Sequence, residues 1–186
     1  MIRPIVNYGS PVLRAKGTTI PRITDEVRAL AADMLDTMRE ANGVGLAAQQ
    51  IGVPVQLTVI DVAGIEDRPS TMQIEGKYVA LEQWMPMILL NPELNMGSGR
   101  ERGNEGCLSF PEITAEIDRA SEVQVKGQLL DGREIAFSAT GLLARALQHE
   151  IDHLHGVLFI DRMDSATKVS LAGRLKRLQK ETTGKR

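Results

Sequence analysis

The sequence predicts an α+β fold: antiparallel-rich β-sheets packed around one central helix, with an N-terminal helix and a C-terminal helix. Three observations carry this. Ser121 to Leu130 and Arg133 to Ser138 alternate apolar and polar residues on either side of Asp131-Gly132, the pattern of a hairpin closed by a favoured two-residue turn. Between Thr140 and Gly156 the apolar residues recur at helical spacing in two stripes, so this helix buries more than one face. The runs between residues 55 and 130 are short, apolar and separated by Gly, Pro and Asn, as strands joined by turns are.

Size and composition fit one catalytic-sized unit spanning 1–186. A chain of 186 residues with 42% hydrophobic and 25% charged residues is ordinary for a compact globule. Met1 to Val12 holds Arg3, Pro4 and Pro11 and lacks the apolar core of a signal peptide, and no stretch approaches a membrane span. The net charge of −2 and the single cysteine suggest a cytoplasmic protein with neither a membrane nor a DNA partner.

The chain opens with an irregular arm, Met1 to Pro21. A helix follows from about Asp25 to Ala41, with Thr24 as N-cap, Asp25 and Glu26 at the positive end of the dipole, and a stripe of Val27, Leu30, Ala31, Met34, Leu35 and Met38. Asn42-Gly43 stops it. Gly43 to Ala48 reads as a loop whose small residues let backbone approach something closely. Gln56 to Val62 alternates as a strand, with Val55, Leu57 and Val59 on one face. Residues 63–80, punctuated by Gly64, Pro69, Ser70 and Gly76, read as a loop. Met87 to Leu90 is a short strand, Asn91-Pro92 interrupts, and a second strand runs to Met96 before Gly97-Ser98-Gly99 turns the chain. After the hairpin, Thr140 is expected to cap the central helix and Gly156 to end it. Val157 to Ile160 reads as a last strand, and Ser165 to about Lys180 as a terminal helix packed by Val169, Ala172 and Leu175.

The chemistry is concentrated in Gln148-His149-Glu150-Ile151-Asp152-His153, an H-E-x-x-H motif on the central helix. At about 100° per residue, His149 and His153 lie about 40° apart and can grip one metal ion. Their stripe contains Leu142 and Ala146, so they face inward, where two imidazoles need a partner. Glu150, about 60° from His153, is poorly placed as a ligand and well placed as a proton acceptor and donor beside the metal. His155 points away. A catalytic centre of this type needs a third ligand, and Cys107, unable to form an internal disulfide, is the candidate.

Gly43-Val44-Gly45-Leu46-Ala47-Ala48-Gln49-Gln50, Glu105-Gly106-Cys107-Leu108-Ser109 and the H-E-x-x-H motif stand in an order that resembles the three signatures of peptide deformylases, over about residues 3–163. The resemblance implies a metal-dependent hydrolase that removes the formyl group from the initiator methionine of nascent chains and releases formate. It also implies one divalent ion per chain, Fe2+ physiologically, with Zn2+, Ni2+ or Co2+ acceptable in purified protein. Gln50 and the backbone N–H of Leu108 would then be the oxyanion donors, with Glu150 moving the proton. Gly43, Val44, Gly45 and Gly106 would bind the extended substrate, and Asp152 would pair with Arg119. Gln49 sits at the motif's variable position and takes no role. Leu142 and Ala146, with Val44, could line a pocket for the methionine side chain; Arg145 lies near them on the wheel, its direction open.

Two other readings belong beside this one. H-E-x-x-H alone is the signature of zinc endopeptidases, and a silent homologue could bind nascent chains or ribosomes without turnover. The tail bears on partners: from Ser165 to Arg186 seven Lys and Arg face Glu181 alone, a net +6, against −8 for residues 1–164. A basic helix of about 165–182 suits docking on ribosomal RNA.

Overall fold

The computed structural model describes residues 1–184. Lys185 and Arg186, two of the tail's basic residues, lie outside the described residues. Three α-helices are present among them: α1 (Asp25–Glu40), α2 (Gly141–Leu154) and α3 (Ser165–Thr183). The strands are β1 (Gly45–Ala47), β2 (Leu57–Ile60), β3 (Ser70–Ile74), β4 (Lys77–Tyr78), β5 (Met87–Met96), β6 (Arg100–Gly106), β7 (Thr114–Ala120), β8 (Glu122–Leu129) and β9 (Glu134–Thr140). A seven-stranded antiparallel sheet runs β1-β2-β5-β8-β9-β3-β4, and β6 and β7 form a separate pair.

α2 is central because nearly every side of it is apolar or partnered. Of its residues only Gly141 and Asp152 escape full burial. Leu143, Leu147 and Ile151 enter a core with Met72, Leu89, Val123, Val125 and Phe137 from the large sheet. α1 covers the other end of that sheet, its Ala31, Met34 and Met38 meeting Leu46, Leu57 and Val59. A third cluster, built on Phe110, Ile117, Leu158 and Phe159, packs beside the β6-β7 pair. The N-terminal arm is tied to two of the motifs, Val6 N–H donating to Gln50 O and Tyr8 N–H to Ser109 O.

Several local expectations are corrected. Residues 63–80 contain the β3-β4 hairpin, which extends the sheet beyond β9 and turns at Glu75 and Gly76, both with positive φ. Gly43 to Ala48 contains a strand, β1, followed by a 3-10 turn, Ala48–Ile51. β2 is buried on both faces, since helices and neighbouring layers cover it, so alternation understated its burial. Met87 to Met96 is one strand, with a register shift between Leu90 and Glu93 where Asn91 takes a positive φ. The β8-β9 turn has three residues, Leu130, Asp131 and Gly132. Gly132 N–H bonds Leu129 O, and Gly132 adopts the left-handed φ of a bulged hairpin.

Thr140 stands at the start of α2 without capping it; its hydroxyl meets that of Thr71. The cap comes from far away in sequence, Ser70 Oγ accepting from Leu143 N at 2.9 Å. Thr24 does cap α1, at 3.4 Å from Val27 N. Phe159–Arg162 is a 3-10 turn where a last strand was expected. α3 packs through Leu171, Leu175 and Leu178, while Val169 and Ala172 face outward, because the apolar row is set by contact with the third cluster.

Candidate metal centre

α2 projects His149 and His153 one turn apart, their ring centroids 5.0 Å from each other. β6 ends at Gly106 and delivers Cys107, held in a tight turn by Phe110 N–H donating to Cys107 O. Cys107 Sγ lies 3.3 Å from His153 Nε2. One donor atom from each of Cys107, His149 and His153 falls within 4.8 Å of the others, a candidate metal site. The donor set fits a divalent transition metal: one sulfur and two imidazoles suit zinc or iron. Glu150 Oε2 and His153 Nδ1 are buried with no hydrogen-bond partner among the described residues, an unsatisfied polarity that apolar packing alone would not tolerate.

Glu150 owes its position to a missing side chain. A β-carbon on Gly45 would stand 2.5 Å from Glu150 Oε1, so a side chain there would displace the carboxylate. Burial pushes the Glu150 carboxyl up to about 7, with the charge of Glu105 adding to it and His149 and Arg119 opposing it. Burial drives His153 toward neutral imidazole, reinforced by His149 and Arg119. For His149 burial acts the same way, and the Cys107 sulfur and Glu105 carboxylate overcome it, raising its pKa well above the usual histidine value.

Gln50 is almost fully buried at 1% exposure. Its Oε1 accepts from Ala47 N at 2.9 Å, which leaves Nε2 3.6 Å from Cys107 Sγ and 3.3 Å from Ser109 Oγ. The buried Gln49 contributes Nε2 to Ala15 O and stays outside the centre. A cleft of about 530 Å³ opens above. Gly43, Val44, Gly45, Gly106, Leu108, Leu142 and Ala146 line it, together with Gln50, Cys107, His149 and Glu150. His153 sits beneath, and Asp152 and Arg119 stand behind the centre, paired at 2.5 Å.

Sequence reasoning missed Glu105 and left Arg145 undirected. Glu105 Oε1 accepts from His149 Nδ1 at 2.6 Å and from Arg119 Nη2 at 2.6 Å, while Oε2 accepts from Arg119 Nε and Arg145 Nη1. Burial alone would raise the pKa of Glu105; these bonds from His149 and Arg119 hold it far below the carboxylate range. The signals were available. Glu105 shares a strand-face parity with Cys107, and Arg145 lies four residues before His149 on one helical stripe. Ile113, also in the cleft, follows a turn whose geometry no periodicity announced.

A model of the family described as Polypeptide deformylase matches residues 2–169. The peptide deformylase of Methylacidiphilum infernorum is 43% identical over 180 residues, covering 97% of this chain and 94% of that one. That of Opitutus terrae is 45% identical over 182 residues, covering 96% and 93%. Among solved structures, the peptide deformylase of Thermus thermophilus aligns with a TM-score of 0.80 at 36% identity, covering 97% of this chain and 99% of that one. Arabidopsis thaliana peptide deformylase 1B in complex with an inhibitor aligns at 0.83 and 36%, covering 100% and 93%. These similarities support neither the endopeptidase nor the silent-homologue reading.

Proposed function

The chain belongs to the polypeptide deformylase family, metal-dependent enzymes that remove the N-formyl group from nascent chains, and on that premise we propose how its own residues do so. Cys107, His149 and His153 would hold one divalent ion, which when bound supplies a Lewis acid that acidifies water and polarises the formyl oxygen. Glu150 takes a proton from the attacking water and passes it to the leaving nitrogen as the formyl C–N bond breaks, giving formate and a free amine. Gln50 Nε2 and the Leu108 N–H donate to the developing oxyanion. Gly43, Val44, Gly45 and Gly106 present backbone to the extended peptide. Leu142 and Ala146 bury its first side chain beside Val44. The pair of Asp152 with Arg119 supports Glu105.

One observation carries this reading: three donor atoms within 4.8 Å of one another, under a cleft whose floor holds the buried carboxylate of Glu150, its Oε2 without a hydrogen-bond partner among the described residues. Formate release from formyl-Met-Ala-Ser by metal-loaded protein, lost on substitution of Cys107, His149 or His153, tests it. Turnover that survives removal of the metal would overturn it.

We further infer iron(II) as the physiological ion. Zinc outcompetes iron for such ligands by intrinsic affinity, so this choice rests on family resemblance, and zinc, nickel or cobalt would enter during aerobic purification. Metal analysis of anaerobically purified protein decides it. Residues 3–163 form the catalytic unit in this proposal, with α3 as a basic appendage, and the enzyme works in the cytoplasm, where nascent chains emerge. Among the described residues no helix is long and apolar enough to cross a membrane.

Ribosome docking through α3 belongs to the same proposal. Lys168, Lys176, Arg177 and Lys180 are exposed while Leu171, Leu175 and Leu178 pack inward, which leaves a basic face. Co-sedimentation with ribosomes should fall steeply with salt and be lost on reversing Lys176, Arg177 and Lys180 to Glu, with hydrolysis of a short formyl peptide spared. Salt-insensitive pelleting of that variant would exclude docking by this face.

A further inference from the structure

We propose that Arg145 is a positioning residue of the metal centre, acting through Glu105 on His149; this rests on the reading of Cys107, His149 and His153 as the metal-holding set. Arg145 leaves α2 one turn before His149 and is buried. Its Nη1 donates to Glu105 Oε2 at 3.0 Å and to Ile117 O at 3.0 Å, and its Nη2 donates to Glu101 O at 2.9 Å. The guanidinium therefore grips β6 at two residues and β7 at one. Gly103 makes room for it: a β-carbon there would stand 3.0 Å from Nη2 and 3.1 Å from Cζ.

The arrangement has a consequence for ligand geometry. β6 carries Glu105 and leads into Cys107, whereas α2 carries His149 and His153, so the separation of the sulfur from the two imidazoles is the separation of β6 from α2. Arg119 holds both oxygens of Glu105, yet it belongs to β7 and is shared with Asp152, whose other oxygen is taken by Arg162. Besides His149 itself, Arg145 is the side chain of the histidine-bearing helix that binds Glu105 directly, and it holds the oxygen that His149 does not. With Oε2 fixed in that frame, Oε1 meets His149 Nδ1 at 2.6 Å and sets which way the other ring nitrogen faces. A buried arginine that merely joined helix to sheet would change stability and leave the metal's environment in folded protein alone.

The test uses protein loaded with cobalt(II), whose visible spectrum reports ligand geometry, and follows cobalt release into excess chelator at a temperature where circular dichroism shows every variant folded. Arg145→Met should release cobalt about 10- to 100-fold faster than the parent and shift the spectrum. Arg145→Lys, which keeps the charge and one donor, should fall between. Gly103→Ala, which retains Arg145 and displaces it, should move the same way and carries the test if Arg145→Met does not fold. Adding Arg145→Met to Glu105→Gln should accelerate release no further, since both act on one path. Release within twofold of the parent in Arg145→Met and Gly103→Ala, or multiplying effects of Arg145→Met and Glu105→Gln, would overturn the proposal. Parent protein that takes up no stoichiometric cobalt, or Cys107→Ser that binds it as the parent does, would instead overturn the ligand assignment beneath it.

Discussion

Gly45 and Glu150 are packed so closely that a β-carbon on residue 45 would stand 2.5 Å from Glu150 Oε1 and 2.8 Å from its Cγ. The glycine of the first motif is thus a requirement of the third. Gly45→Ala should keep the metal and lower kcat on formyl-Met-Ala-Ser about 10²-fold, because a displaced proton carrier loses its alignment with the reacting atoms. Steady-state kinetics with metal analysis checks this, and a kcat within threefold of the parent would contradict it.

Ser70 Oγ caps α2 from the β3 strand. Ser70→Ala should therefore destabilise the protein by about 1 kcal/mol, the usual cost of a lost N-cap, while Thr140→Ala should cost less. Urea unfolding of the two variants ranks them, and a larger effect at Thr140 would show that the cap has been misread.

These two relationships mark how far the residues could be read in advance. The central helix, its inward histidines, both flanking helices and the main hairpin were legible because periodicity is local, whereas Cys107, distant in sequence, could be put forward only as the donor that a histidine pair still lacked. The Ser70 cap was not, since it joins residues 73 apart in sequence. The β3-β4 hairpin was hidden because Glu75-Gly76 supplies its turn without the usual Asn or Asp, and because Gly64 and Pro69 made the whole stretch look like a loop. Glu105 escaped notice because its role depends on Arg119 of β7 converging with Arg145 and His149 of α2.

The cleft should set substrate scope. Burying a methionine side chain against Val44, Leu142 and Ala146 contributes about 1.5 to 3 kcal/mol, so formyl-Met peptides should exceed formyl-Asp ones by roughly one to two decades in kcat/KM. Equal values for the two would remove the apolar pocket from the account.

Asp161 gives a pH signature. Burial raises its pKa, but hydrogen bonds from Arg14 and the Leu158 N–H outweigh this and hold the carboxyl below its ordinary value. A depressed pKa contributes stability above the unfolded value, about 3.9, that is lost as pH falls through the folded one. Asp161→Asn should be less stable than the parent at pH 7, with the gap closing below about pH 4. A gap that widened in acid, measured by urea midpoints, would reverse the assignment.

The central claim is that Glu150 moves protons and does not hold the metal, and metal content measured beside turnover in Glu150→Gln tests it most directly. The glutamine fits the same buried space and cannot accept the proton, so metal should stay near one per chain while kcat on formyl-Met-Ala-Ser falls by at least about 10²-fold. A variant that loses its metal, or one that binds metal and turns over as the parent does, would contradict the account.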